Sequence, residues 1–219
     1  CRNLMDYDAV YFPGGFSSGD YVRAGAIFAS RIKSGIQSQV DEYINEGRPV
    51  LGVCNGFQIL VEMGALPGTE TGTTSIPDAV LHTNDSSRFE ARHVHLRVES
   101  DSQSIFTKNY KTNQVLSIPN AHAEGKLMMN QEKFEELERN KQIAFRYCSP
   151  DGKLNPGYPW NPNMAEMLGY EVEKHNFAIQ ISTADMRDGG LSGSTLKEAI
   201  SWGKNDKQIE DVMVWGEAT

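Results

Sequence analysis

The residue in this sequence best placed to do covalent chemistry is Cys54, in the stretch Pro49-Val-Leu-Gly-Val-Cys-Asn-Gly-Phe-Gln58. A short apolar run ends in Gly-Val-Cys-Asn-Gly and passes into the apolar-periodic segment Phe57-Gln-Ile-Leu-Val-Glu-Met63. That order reads as strand, tight turn, helix. Glycines on both sides of a nucleophile permit the strained turn that lifts its side chain clear of the sheet. The same turn sets Cys54 at a helix N-terminus, where the macrodipole and free backbone N–H groups favour a thiolate. The N–H of the next residue, Asn55, is placed to receive an oxyanion. A lone cysteine is more commonly buried packing. The Gly-x-Cys-x-Gly setting favours the nucleophile.

Other chemistry-bearing residues give weaker signals. His122-Ala-Glu124 reads equally as a base with its orienting carboxylate and as a hydrogen-bonded turn. His93 and His95 share one face of an alternating segment, but no third ligand has metal-site spacing, so both read as structural. Lys204, taken alone, is a solvated lysine near a helix C-terminus.

The elements that must position Cys54 come in a regular order. Asp8-Ala-Val-Tyr-Phe12 is an apolar run ended by Pro13-Gly14-Gly15, as in a buried parallel strand feeding a functional loop. Phe16 to Gly25 forms that loop, and its glycines let backbone approach a ligand. Ile27, Ile32, Ile36, Val40 and Tyr43/Ile44 then recur at helical spacing, with Gly47 as the cap before Pro49. Strand, loop, helix, strand, nucleophile turn and helix in succession predict a doubly wound, mostly parallel α/β sheet with its site at the carboxyl ends of strands. Residues 69–85 are Thr/Ser-rich and read as loop or lid. Strands are expected at 89–98 and 142–148, a strand-to-turn element at 118–125, and a short helix at Phe134. A Pro/Gly/Asn-dense stretch, 149–163, reads as a boundary. Beyond it a helix near 164–168, a strand at 177–182, a Gly-rich loop at 188–193, a helix at 195–202 and a strand at 212–216 repeat the β-loop-α-β order.

Composition narrows the class. The chain has 219 residues, a formal net charge of -8 and three widely spaced cysteines. The acidic balance argues against nucleic acid as a partner. An odd, scattered cysteine set suggests a reducing compartment, and no apolar run has membrane-spanning length. A cytoplasmic protein with no membrane association is the expectation. The sequence starts at Cys1 almost directly on a strand, so further residues are expected before it.

The first 163 residues resemble the class I glutamine amidotransferases, and among them the glutaminase subunits of phosphoribosylformylglycinamidine synthase. The matching stretches are 13–26 (Pro-Gly-Gly-Phe-Ser-Ser-Gly-Asp), 51–60 (Leu-Gly-Val-Cys-Asn-Gly-Phe-Gln), 92–99, Pro119-Asn-Ala-His-Ala-Glu-Gly125, 145–148 and Asn161-Pro-Asn163. The resemblance implies a flavodoxin-like fold and a cofactor-free reaction. Cys54 attacks the glutamine side-chain amide to form a thioester, and ammonia passes to a synthetase subunit. Gly14, Gly15, Asn55, Gly56 and Gln58 are then the oxyanion and glutamine-binding residues. The family's opening strand and helix, and its Met-Pro-His-Pro-Glu block, have no counterpart in this sequence. His122 and Glu124 match a different family motif and are not assigned to the triad.

Residues 164–219 resemble the C-terminal part of deoxyhypusine synthase, most specifically in Glu198-Ala-Ile-Ser-Trp-Gly-Lys204. This implies a short Rossmann-like α/β segment and NAD-dependent aminobutyl transfer from spermidine. Lys204 would form the imine, Glu198 and Trp202 would line the amine pocket, and Thr183, Ala184, Glu217 and Ala218 would border NAD. A homo-oligomer formed through this segment is the further partner implied. Three expectations follow: an ammonia-supplying glutaminase, an NAD-dependent aminobutyl transferase, or an inactive composite with both sites incomplete. Lost and joined segments best account for two unrelated resemblances meeting near residue 163.

Overall fold

The computed structural model describes residues 2–68, 72–99, 105–107, 109–154, 156–157, 159–163 and 212–214. In chain order the strands are Ala9–Phe12 (β1), Val50–Gly52 (β2), Ala79–Thr83 (β3), Glu90–Val98 (β4), Val115–His122 (β5), Glu124–Met129 (β6), Phe145–Cys148 (β7) and Val212–Val214 (β8). The α-helices are Ala26–Asn45 (α1), Asn55–Glu62 (α2) and Gln131–Arg139 (α3). These residues fall into two units, 2–78 with Val212–Val214, and 79–163.

The first unit is built on the apolar run expected as its first strand. Val10, Tyr11 and Phe12 are buried, and β1 pairs in parallel with β2 on one side and β8 on the other. Helix α1 lays Phe28, Ala29, Ile32, Val40 and Tyr43 into the core. Ile27 and Ile36 of the expected stripe are only half-buried. The helix breaks at Ile36, whose φ of -141° shifts the facing residues. Its end is the expected glycine cap. Gly47, at φ 69°, donates to Ile44 O (2.8 Å), and Arg48 N–H donates to Tyr43 O (3.3 Å). These are the two bonds of a Schellman cap. Leu4, Val10, Phe12, Ile32, Ile59, Leu60 and Met63 belong to one continuous apolar cluster with them. Each such side chain contributes about 1.5–3 kcal/mol by leaving water.

The second unit is antiparallel. One sheet is β3 against β6, and the other has the order β5-β4-β7. All strand pairs described in this unit are antiparallel, in contrast to the parallel pairs of β1 with β2 and β8. The Thr/Ser-rich reading of 69–85 misses β3. Ala79 and Leu81 are buried while Val80 and His82 face out, a period-two pattern obscured by its polar flanks. The strand-to-turn element expected at 118–125 is present, with its strand portion ending at His122 and a second strand following at once. Strand β5 runs through His122, and Ala123 alone separates it from β6 in the other sheet. Helix α3 is capped by Asn130, whose side chain accepts from Lys133 N–H (2.8 Å), and it buries Phe134 and Leu137 against Ile143. The elements expected beyond residue 163 lie outside the described residues, except β8. Among the described residues no helix is long and apolar enough to cross a membrane.

Candidate active site

Strand pairing runs up to the nucleophile turn, where Val53 N–H donates to Phe12 O at 3.0 Å. Cys54 then takes φ 54° and ψ -117°, a left-handed setting for a non-glycine residue. Such strain costs on the order of 1–3 kcal/mol and persists only where its surroundings enforce it. Here the enforcement is packing. A Cβ on Gly56 would sit 2.0 Å from Phe12 O, and one on Gly52 would sit 2.8 Å from Gly56 O. Helix α2 therefore touches β1 and β2 backbone to backbone. The Cys54 carbonyl accepts from Phe57 N–H (3.0 Å) and Gln58 N–H (3.2 Å), so the thiol residue starts the helix. The thiol is free and half-buried. Burial, with electrostatic repulsion from nearby Cys54 second, pushes the Tyr11 phenol up.

The loop after β1 lies along α2. Gly15 takes φ 145°, and the space where its side chain would begin is open. Among the described residues, neither Gly15 N–H nor Asn55 N–H makes a hydrogen bond. Both amides are thus available to a ligand, as an oxyanion site requires. Gly14, like Gly15, is half-buried. Ser17 N–H donates to Asn55 Oδ1 (3.1 Å), and Asn55 Nδ2 donates to Asp20 Oδ1 (3.2 Å) and to Gln58 Oε1 (3.0 Å). Gly25 packs on the Ile59 backbone, where a Cβ would lie 2.8 Å from its nitrogen. Arg23 donates twice to Glu62 (2.8 and 2.7 Å). The side-chain work of Asn55, Gln58, Asp20 and Arg23 was not foreseen from sequence. A polar residue directly after a nucleophile was the available signal.

The second unit holds His122, which is 4% exposed. Its Nδ1 faces Asn84 Oδ1 at 2.8 Å, while Asn84 Nδ2 donates to His122 O (2.7 Å) and Arg88 O (3.0 Å). The two carbonyls fix the Asn84 amide with its oxygen toward the ring, so Nδ1 carries the proton. Burial first, and the Arg92 guanidinium second, push the imidazole down to about 4. Its orienting partner is Asn84, not Glu124. Gly125 is packed against the ring, since a Cβ there would lie 2.3 Å from it. His93 is exposed, and His95 meets Trp160 edge to face at 5.5 Å. Among the described residues no group of three His, Cys, Asp or Glu could hold a metal ion. Lys204, Glu198, Trp202, Thr183, Ala184, Glu217 and Ala218 lie outside the described residues.

A strained thiol turn gripped by glycine contacts, beside two unengaged amides, is what an acyl-transfer site needs. Residues 2–168 match the family model of the CobB/CobQ-like glutamine amidotransferase domain. The chain belongs to that family. Its fold is the α/β fold of the class I glutamine amidotransferases, with mixed parallel and antiparallel sheets. This chain is 49% identical over 168 residues to the phosphoribosylformylglycinamidine synthase subunit PurQ of Archaeoglobus fulgidus, covering 74% of this chain and 61% of that protein. It is 41% identical over 167 residues to the same subunit of Methanococcus maripaludis, covering 75% and 59%. The chain therefore spans about three fifths of the length of the curated relatives it matches. Among solved structures it resembles PurLQS from Thermotoga maritima, with a TM-score of 0.59 and 26% identity over 93% of this chain and 82% of that one. Residues 157–219 match the family model of deoxyhypusine synthase, a similarity confined to that stretch.

Proposed function

We propose that this chain hydrolyses the side-chain amide of glutamine and delivers the ammonia to a phosphoribosylformylglycinamidine synthase partner in purine biosynthesis. The observation that carries the reading is Cys54, held at φ 54° between two glycines that tolerate no side chain. Its relatives' names and the PurLQS likeness support the substrate and partner. In the proposed reaction the Cys54 thiolate adds to the amide carbon. The oxygen charge that develops is received by Gly15 N–H and Asn55 N–H. Collapse breaks the C–N bond as the leaving nitrogen takes a proton from solvent, and ammonia departs. Water then hydrolyses the thioester to glutamate and the thiol. Losing one oxyanion donor costs about 3 kcal/mol of barrier in comparable sites. The chemistry needs no redox or group-carrying cofactor.

We assign His122 to the architecture of the second unit, since a buried imidazole committed to Asn84 and pushed down to about 4 is a weak base. We further propose a cytoplasmic protein with an amidotransferase-like domain at 1–163 and a deoxyhypusine synthase-like segment at 164–219. The function proposed for this chain rests on the amidotransferase match, and no aminobutyl transfer is proposed from the deoxyhypusine synthase match at 157–219. The test is glutaminase assay of the protein with its synthetase partner, alongside labelling by a glutamine-analogue electrophile. Wild type hydrolyses glutamine and is labelled at Cys54, and C54S does neither. Absence of both hydrolysis and labelling in the wild type refutes the reading.

A further inference from the structure

We propose that Asn55 and Asp20 are positioning residues: their side chains form a latch that holds the Gly15 amide in register with Cys54. This rests on the glutaminase reading above and adds residues to it. The latch is a buried amide with every valence directed. Asn55 is 2% exposed, its oxygen receives Ser17 N–H, and its nitrogen donates to both Asp20 and Gln58. Rotating the amide by half a turn would set its oxygen against two acceptors and its NH2 against an N–H, so one orientation holds. The loop it grips closes one short turn of its own, Gly19 N–H donating to Phe16 O at 3.0 Å, but its backbone is strained. Ser18, Gly19, Asp20 and Val22 all take positive φ, between 52° and 75°. Three are non-glycine and one is β-branched, a backbone that relaxes unless an outside contact enforces it.

The points of attachment follow one face of α2. Asn55 holds Ser17 and Asp20, the Gln58–Ile59 backbone receives Gly25, and Glu62 binds Arg23. Recurrence at three to four residues is the spacing of a single helical face. Only the Asn55 attachment lies within two residues of Gly15, so it sets the distance between the two free amides. The Arg23–Glu62 pair, on a half-exposed arginine, fixes direction more than energy.

Three variants of the full-length protein, assayed with its synthetase partner, test the latch. N55L removes the three hydrogen bonds at nearly constant volume. N55D places a carboxylate against the Asp20 carboxylate, and N55D/D20N restores a donor–acceptor pair there. The expected result is a fall in kcat of roughly 10- to 100-fold in N55L and N55D, with KM for glutamine changed less than about threefold. The double variant regains most of the loss. Alkylation of Cys54 by iodoacetamide, which develops no oxyanion, keeps its wild-type rate, and amide exchange at Ser17 speeds up at least tenfold. Unchanged kcat in N55L, or no recovery in N55D/D20N, overturns the latch. An equal drop in iodoacetamide reactivity overturns it too, as it would mean general damage to the turn. If wild type itself hydrolyses no glutamine, the functional reading falls. The exchange measurement then decides the latch alone, and unchanged Ser17 exchange refutes it.

Discussion

The same substitution, glycine to alanine, should have opposite signs at two helical positions. In G56A the new methyl would lie 2.0 Å from Phe12 O and 2.5 Å from its carbonyl carbon, where ordinary contact begins at 3.4 Å. The obstacle is strand backbone, so α2 must retreat from β1 by more than an ångström. Alanine gains about 1 kcal/mol of helix propensity over glycine. Overpacking costs about 1–3 kcal/mol or more, and a clash on backbone falls at the upper end, so the net loss is about 2 kcal/mol. With a urea dependence of about 2 kcal/mol per molar, the midpoint drops by about 1 M. Retreat of α2 carries Asn55 N–H away from the substrate, and a displacement of that size costs about 100-fold in kcat. Gly35, on α1, has nothing within 4 Å of the same methyl and no positive φ. G35A therefore collects the propensity term alone and gains up to about 1 kcal/mol. Urea melts and glutaminase rates of both variants settle the matter. A G56A protein as stable and active as wild type would refute the claim that glycine is needed there for backbone contact.

His122 should make stability pH-dependent. Its folded value, about 4, lies below the ordinary 6.5, so the unfolded chain binds the extra proton first. The contribution is present above pH 6.5 and is lost as pH falls toward 4, by about 3 kcal/mol in all. Urea melts of wild type and H122N across that window read it, and an imidazole resonance titrating near 6.5 would contradict it. Asn84→Ala strips the ring of its partner and removes the amide's donations to His122 O and Arg88 O, so about 2–4 kcal/mol should disappear from the melt. A loss below 1 kcal/mol would show that water replaces the amide. Ile32→Ala, at a side chain 2% exposed, should cost about 2–5 kcal/mol in the same assay, whereas an unchanged midpoint would place it outside the core.

The nucleophile turn was legible because its chemistry and its architecture ask for the same residues. Gly52 and Gly56 are needed for close packing, and they also flank the only cysteine between a strand and a helix. Strand β1, helix α1 and the Gly47 cap announced themselves through continuous apolarity, a 3.6 period and a left-handed glycine. The second unit was harder to read. Strand β3 is five residues long and half of its face is polar, so local composition outweighed its alternation. The roles of Asn55 and Asp20 depend on side chains 35 residues apart meeting across a loop, which no local pattern encodes. His122 with Glu124 looked like a base and its carboxylate, but His122 ends β5 and Glu124 opens β6 in a different sheet. The ring found Asn84, 38 positions away.

Strand β1 is flanked on both sides, by Val50–Gly52 and by Val212–Val214. The stretch that looks like a different enzyme thus contributes a rib to the sheet under the thiol. Severing the polypeptide at the seam between the two likenesses would bare a row of peptide groups along an apolar strand, an invitation to self-association. A protease or an engineer who parts the two stretches should recover an amidotransferase fragment that self-associates.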